Sequence, residues 1–238
     1  MAEDEPALGR SPRVRIVVLA LAAIAGWLDG LTFVALGTVF VSAVTGDLVQ
    51  LGVEIAAGDT SRLLILLAAL GAFMAGTSIA VVLVRTAGSL AWPGPVRRPL
   101  LLHAGLLVLF AMLWTAIGDP SPGTAGAFVV VAVAALSAGI QGAAILGLGI
   151  RGASVSAVTN VLMLLAAGLA ERESGVAGPR AGLPLWELAM ILVVYCLSGL
   201  VVALALSGEA GLLVWLPAAI AIGVIAAIPG RDPEAATG

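Results

Sequence analysis

Apolar runs long enough to cross a bilayer are the feature that most narrows what this chain can become. A transmembrane helix needs about 17 to 25 residues at a 1.5 Å rise. Six stretches match: Val14 to Leu36, Leu63 to Val84, Leu100 to Ile117, Ala125 to Ile150, Leu185 to Leu206 and Leu212 to Ile228. Backbone groups in lipid must pair within their own segment, so these runs are expected to be helices, and they are too long and uniform for barrel strands. The predicted fold is an all-α polytopic helical membrane protein with six strong spans. A soluble reading fails because only 11% of the 238 residues are charged, against about 25% for a soluble globule. Arg10, Arg13 and Arg15 precede the first run as they would in a secretory leader. That run is too long for a leader, however, and lacks an early small-residue cleavage site.

Two further stretches, Thr38 to Ala57 and Ala153 to Ala170, have helical length but weaker hydrophobicity. In the first, nine strongly apolar residues lie between Val39 and Ile55. Each favours insertion by about 0.3–0.6 kcal/mol, and Asp47 and Glu54 oppose it by up to about 3 kcal/mol each. The sum is near zero or unfavourable, so this segment is expected to pack on the other spans, dip in from one side or lie at the interface. If both weak segments return to the side they left, ten arginines (Arg10, Arg13, Arg15, Arg85, Arg97, Arg98, Arg151, Arg172, Arg180 and Arg231) share one side and Arg62 stands alone on the other. If both cross, the division is seven to four. The excess of positive charge on cytoplasmic loops favours six spans, two half-inserted helices and a cytoplasmic N-terminus.

The tetrapeptide SAVT occurs at 42–45 and 156–159, each time within a weak segment. Upstream, Asp29-Gly30 pairs with Gln141-Gly142 and Leu36-Gly37 with Leu148-Gly149. These matches predict a two-fold internal repeat, with halves at about 13–118 and 125–229 inside one membrane domain, 13–230. The stretch Gly118 to Thr124 separates the halves, and polar tails, 1–12 and 231–238, flank the domain. Three true spans per half would make the halves oppositely oriented, which places a binding site between them at interrupted helices.

The candidate site residues are the polar groups that such a bilayer domain would bury. Asp29 lies inside the first span beside Gly30. An ionisable group there costs at least about 2.5 kcal/mol, so it should face the bundle interior and mark a site, or else cap a helix break at Gly30. Gln141 is its uncharged counterpart. Asp47, Gln50 and Glu54 fall within about 60° of one another on a helix. They form either a cation- or proton-binding stripe or the wet face of an interfacial helix. Thr45-Gly46-Asp47 and Thr159-Asn160 suit half-helix starts that would offer N–H groups to a solute, or plain interhelical hydrogen bonds. Ala22, Gly26, Gly30 and Ala134, Ala138, Gly142 form stripes of small residues. They predict close packing of the first and fifth helices on each other or in a homo-oligomer.

Other signals point away from chemistry. GLGIRG at 147–152, with Glu171 beyond it, spells a dinucleotide fingerprint, but the strand and soluble βαβ unit that give it meaning are not predicted. His103, the sole histidine, has no ligand partner at metal spacing and is expected at the interface. All eleven basic residues are Arg, scattered singly or in pairs. That leaves no patch for nucleic acid. With a single cysteine, Cys196, and no catalytic arrangement in the sequence, neither a cofactor, a metal nor an enzyme activity is expected.

The blocks GWLDGLTFVALGTVFVSAVTGDLVQLG (26–52) and GIQGAAILGLGIRGASVSAVTNVL (139–162) resemble the YoaK-like family of bacterial inner-membrane proteins, a domain of unknown function. Trp27 and Asp29, Thr45 and Gly46, Gln141 and Arg151 match the family's motifs. Asp47, Gly142 and Asn160 depart from its usual residues. The resemblance implies a membrane location and no established reaction. The expected function is a small-solute transporter or permease. The alternatives are an uncoupled pore or a non-transporting scaffold, and the expected partners are the lipid bilayer and a small polar solute or proton.

Overall fold

The computed structural model describes residues 12–86, 94–118, 120–147, 158–174, 183–206 and 212–228. Among them lie eight α-helices: α1 (Pro12–Ala35), α2 (Thr45–Ala57), α3 (Thr60–Arg85), α4 (Gly94–Ile117), α5 (Ala125–Leu146), α6 (Val158–Ser174), α7 (Leu185–Ala205) and α8 (Leu216–Ala227), the last preceded by a 3-10 turn, Leu213–Trp215. The predicted tails except Pro12, which opens α1, most of the 147–152 glycine motif with the repeat match Leu148-Gly149, the first two residues of the second SAVT, Arg10, Arg151, Arg180 and Arg231 lie outside the described residues.

Five helices, α1, α3, α4, α5 and α7, are long and apolar enough to cross a membrane. The sixth predicted span is shorter than expected. Its apolar run divides into the 3-10 turn and a twelve-residue α8, with Pro217 in the first turn, where a missing N–H costs no helical bond. The chain is a polytopic helical membrane protein.

Residue contacts fix the helix directions. Arg15 pairs with Glu187, Gly26 packs on Tyr195 and Gly30 on Gly199, so α1 and α7 run parallel. Gly123 meets Ser61, Gly139 meets Phe73 and Gly147 meets Val84, so α3 and α5 are parallel as well. Gly37 meets Pro122 and Gln141 bonds the Leu21 carbonyl; α1 and α5 are therefore antiparallel. It follows that α3 runs opposite to α1, and the segment between them, α2 included, leaves and re-enters at one face. An Arg62 Nη2 to Gly37 carbonyl bond of 3.2 Å closes that excursion. Of the described arginines, Arg13, Arg15, Arg85, Arg97, Arg98 and Arg172 belong to the face where α1 starts, and Arg62 to the opposite face.

Glycine sets the closest approaches. A Cβ at Gly26 would collide with the Tyr195 carbonyl, and one at Gly76 or Gly139 with the Leu136 or Phe73 carbonyl. This corrects the expected pairing, since the tight partners are α1 with α7 and α3 with α5. Ala22, Gly26, Ala134, Ala138 and Gly142 are buried within the chain and Gly30 half-buried. The stripes are thus used inside one molecule and do not face a second copy.

Candidate functional site

Asp29 is buried in α1, which stays helical through Gly30 to Ala35. The expected break at Gly30 is absent. The carboxylate instead reaches the non-helical stretch before α2. Its Oδ1 accepts from the backbone N–H groups of Val41 and Ser42, both at 2.7 Å. Oδ2 accepts from the Ala43 N–H at 3.1 Å, from Ser42 Oγ at 2.5 Å and from Tyr195 Oη on α7 at 2.5 Å. Five donors converge on one carboxylate, and charge-assisted bonds of this kind are the strong ones. Capping does occur, therefore, but of the α2 entry segment and not of α1. Thr32 Oγ1 adds a 2.7 Å bond to the Val39 carbonyl on the same segment.

The stripe on α2 is real and faces inward. Asp47 is fully buried and Glu54 nearly so, while Leu48, Val49, Val53 and Ile55 are exposed, at 57%, 71%, 59% and 63%. This reverses the wet-face alternative. In lipid the apolar side of a helix is its outer side, so an amphipathic helix beside the bundle turns its polar groups to the protein. Asp47 Oδ1 accepts from the Phe40 N–H at 3.1 Å and from Gln50 Nε2 at 3.3 Å, whereas its Oδ2 is buried without a hydrogen-bond partner among the described residues. Gln50 Nε2 also donates to the Thr38 carbonyl at 2.9 Å.

Arg62, at the start of α3, ties this cluster to the end of α1. Its Nε lies 3.1 Å from Glu54 Oε1, and its Nη2 donates to Thr38 Oγ1 at 2.6 Å. Thr38 has φ 64°, a left-handed conformation that a β-branched residue adopts only when its surroundings hold it there. The bonds from Arg62 and Gln50 do that.

The second-half candidates are not gathered in the same way. Gln141 is buried, with Nε2 donating to the Leu21 carbonyl at 2.8 Å and Oε1 without a partner among the described residues. Leu21 precedes Asp29 by eight residues on α1, so the two polar contacts lie about 12 Å apart along that helix. Thr159 and Asn160 are exposed on α6, and Thr45 is exposed on α2. Gly46 packs against the Phe40 ring. At the start of α2, Val44 holds the N-cap position with no side-chain cap bond, and the residue before α6 lies outside the described residues. α2 packs on α3 and α6 on α7, so the two weak helices are held by different neighbours and their described starts turn exposed side chains, Thr45, Thr159 and Asn160, outward.

Sequence reasoning missed Tyr195, Ser42, Thr38 and Arg62 as parts of the site. Tyr195 carried a signal, being the only tyrosine in the chain and placed within an apolar run whose hydroxyl must find a partner. His103 was expected at the interface but is buried between α4 and α5, with Nδ1 2.8 Å from Ser137 Oγ. Near the start of α1, Arg15 pairs with buried Glu187 and lies over the Trp186 ring, 5.5 Å from its centroid.

This arrangement defines an integral membrane protein in which buried acids hold a re-entrant helix against the bundle. Among the described residues no group of three or more His, Cys, Asp or Glu side chains is placed to hold a metal ion. The family model described as "Protein of unknown function (DUF1275)" matches residues 17–228, and the chain belongs to that family. A relative, the UPF0700 transmembrane protein YoaK of Bacillus subtilis (strain 168), is 29% identical over 202 residues, covering 84% of this chain and 88% of that protein. No solved structure matches the chain.

Proposed function

We propose that this protein is a small-solute transporter or permease, not an enzyme, of a bacterial inner membrane, built from two inverted repeat halves with its N-terminus in the cytoplasm. The observation that carries the reading is the Asp29 to Tyr195 bond. It joins the first half to the second through a buried carboxylate that also anchors an interrupted segment. Helices broken at a polar site between inverted halves are the architecture that alternating access uses.

Helix contacts support the repeat, because most of them pair off when the halves are exchanged, the packing of α3 on α4 being the exception without a like contact of α7 on α8 among the described residues. α1 on α7 corresponds to α5 on α3, α2 on α3 to α6 on α7, and α1 on α8 to α5 on α4. Opposite helix directions in the two halves support inversion. The six-to-one division of described arginines between the faces supports a cytoplasmic N-terminus. A rocking of the halves would break the Tyr195 contact, leaving Asp29 to exchange that hydroxyl for a solute or a proton.

The test is uptake by proteoliposomes over a panel of small polar solutes at several pH values, with wild type, Asp29→Asn and Tyr195→Phe. Saturable uptake by wild type, with its rate or pH dependence altered in both variants, is the expected result. Sealed vesicles that pass no solute, or variants that transport as wild type does, would overturn the reading.

A further inference from the structure

On the face where Arg62 stands, the end of α1, the start of α3 and the loop between α4 and α5 border a half-open cavity of about 130 Å³, lined by Leu36, Gly37, Ser61, Arg62, Ile65, Pro122 and Gly123. An apolar cavity of about 150 Å³ holds a benzene-sized guest, so this one has room for about six heavy atoms. Two lining glycines have left-handed backbones, Gly37 at φ 89° and Gly123 at φ 81°. A side chain on Gly123 would press on Ser61 Oγ at 3.3 Å, so the loop conformation itself keeps the space open.

The polar edge of the cavity has unused capacity. Arg62 commits Nε to Glu54 and Nη2 to Gly37 and Thr38. Its Nη1 and the Ser61 hydroxyl bond no described residue and are open to water, Ser61 being exposed and the Arg62 side chain 42% exposed, so a guest would replace solvent on them. The charge balance then selects the guest. The guanidinium is already matched by Glu54, and the Asp59 carboxylate, capping α3 through the Arg62 N–H at 3.1 Å, adds a second negative charge nearby. An incoming anion would meet a rim that is negative overall, and a cation would meet the guanidinium directly. An uncharged group with one acceptor for Nη1 and one donor for Ser61 meets neither penalty.

We infer that this cavity binds a small uncharged carbonyl compound of the primary-amide type, its carbonyl on Arg62 and its NH2 on Ser61, with a short apolar tail against Leu36, Ile65 and Pro122. The site is separate from the Asp29 contact, and binding there is read at equilibrium, without any flux. The probes are butyramide, butyrate and butylammonium, each titrated by saturation-transfer NMR against the protein in zwitterionic nanodiscs, with empty nanodiscs as the blank.

Butyramide should bind saturably at one site, and the two charged probes at least about tenfold more weakly. Arg62→Gln should weaken butyramide by about tenfold or more. Because that variant also frees Thr38, Ser61→Leu serves as the second one, since it fills the cavity while leaving the Arg62 to Glu54 pair in place. Butyramide binding that is unchanged in Ser61→Leu, or no greater than to empty nanodiscs, would overturn the inference. So would butyrate binding more tightly than butyramide.

Discussion

Replacing Asp29 by Asn keeps the shape of the side chain and exchanges one acceptor oxygen for an NH2 donor. In the wild type three backbone N–H groups and two hydroxyls converge on the carboxylate. The amide oxygen of Asn can still accept from Val41 and Ser42. Its NH2 would then face the Ala43 N–H, donor against donor, while the Ser42 and Tyr195 hydroxyls can rotate to accept. The net loss is one buried backbone N–H without an acceptor, about 1–3 kcal/mol. Lost charge assistance on the other two bonds is offset by the relief of burying a neutral group in place of an ion. At 1.4 kcal/mol per tenfold, local opening of the segment before α2 should become roughly five- to 150-fold more frequent. Hydrogen exchange followed by mass spectrometry on peptides covering 36–44 reads this directly. Tyr195→Phe, which removes one hydroxyl of the five donors, should accelerate the same peptides by less than Asp29→Asn does. If exchange over 36–44 is unchanged in Asp29→Asn while the protein stays folded, Asp29 does not hold that segment and the capping account is wrong.

Other outcomes follow from the same geometry. Gly26→Ala, whose methyl meets the Tyr195 carbonyl, should lower stability by about 1–3 kcal/mol in a thermal melt in detergent. Gly52→Ala on α2, with no atom within 4 Å of the added Cβ, should be neutral or stabilising by up to about 1 kcal/mol. Equal melts for the two variants would contradict the close α1–α7 approach. Arg62→Glu should loosen α2 on α3, and combining it with Glu54→Arg should recover part of the lost stability by restoring the pair. A double variant no better than the worse single one would assign Arg62's effect to its Gly37 and Thr38 bonds alone.

Much of this architecture is legible in the sequence because lipid imposes a simple rule on long helices. The runs around Val17, Leu66, Leu107, Val130 and Ile191 read as spans and fold as helices long and apolar enough to cross a membrane. Asp29 reads as inward because no bilayer tolerates it elsewhere. The weak segment containing Asp47 reads as non-crossing from its insertion balance, and the chain directions agree. What the sequence leaves open is who meets whom. The donors that satisfy Asp29 are mostly backbone N–H groups of Val41, Ser42 and Ala43, which any residues but proline would supply. Tyr195 comes from 166 positions away. Periodicity places Asp47, Gln50 and Glu54 on one face of α2 but does not say whether that face looks at protein or at water, and the medium decides it. The partner of Gly26 is a carbonyl oxygen, invisible as a residue type, which is why the stripe suggested the wrong neighbour. The break before α8 was hidden because Leu213 to Trp215 is as apolar as the helix that follows.

The central claim is that α2 leaves and re-enters at one face, with its acids turned to the bundle, so that α1 and α3 cross in opposite directions. Single cysteines placed by Gly58→Cys, Ser121→Cys and Thr86→Cys in a Cys196→Ser background, labelled in intact cells with an impermeant maleimide, test it most directly. Gly58→Cys and Ser121→Cys should label from outside, and Thr86→Cys only after the membrane is opened. If Gly58→Cys and Ser121→Cys are protected and Thr86→Cys is labelled while an added Arg13→Cys stays protected, α2 crosses the membrane and the arrangement described for the first half is wrong.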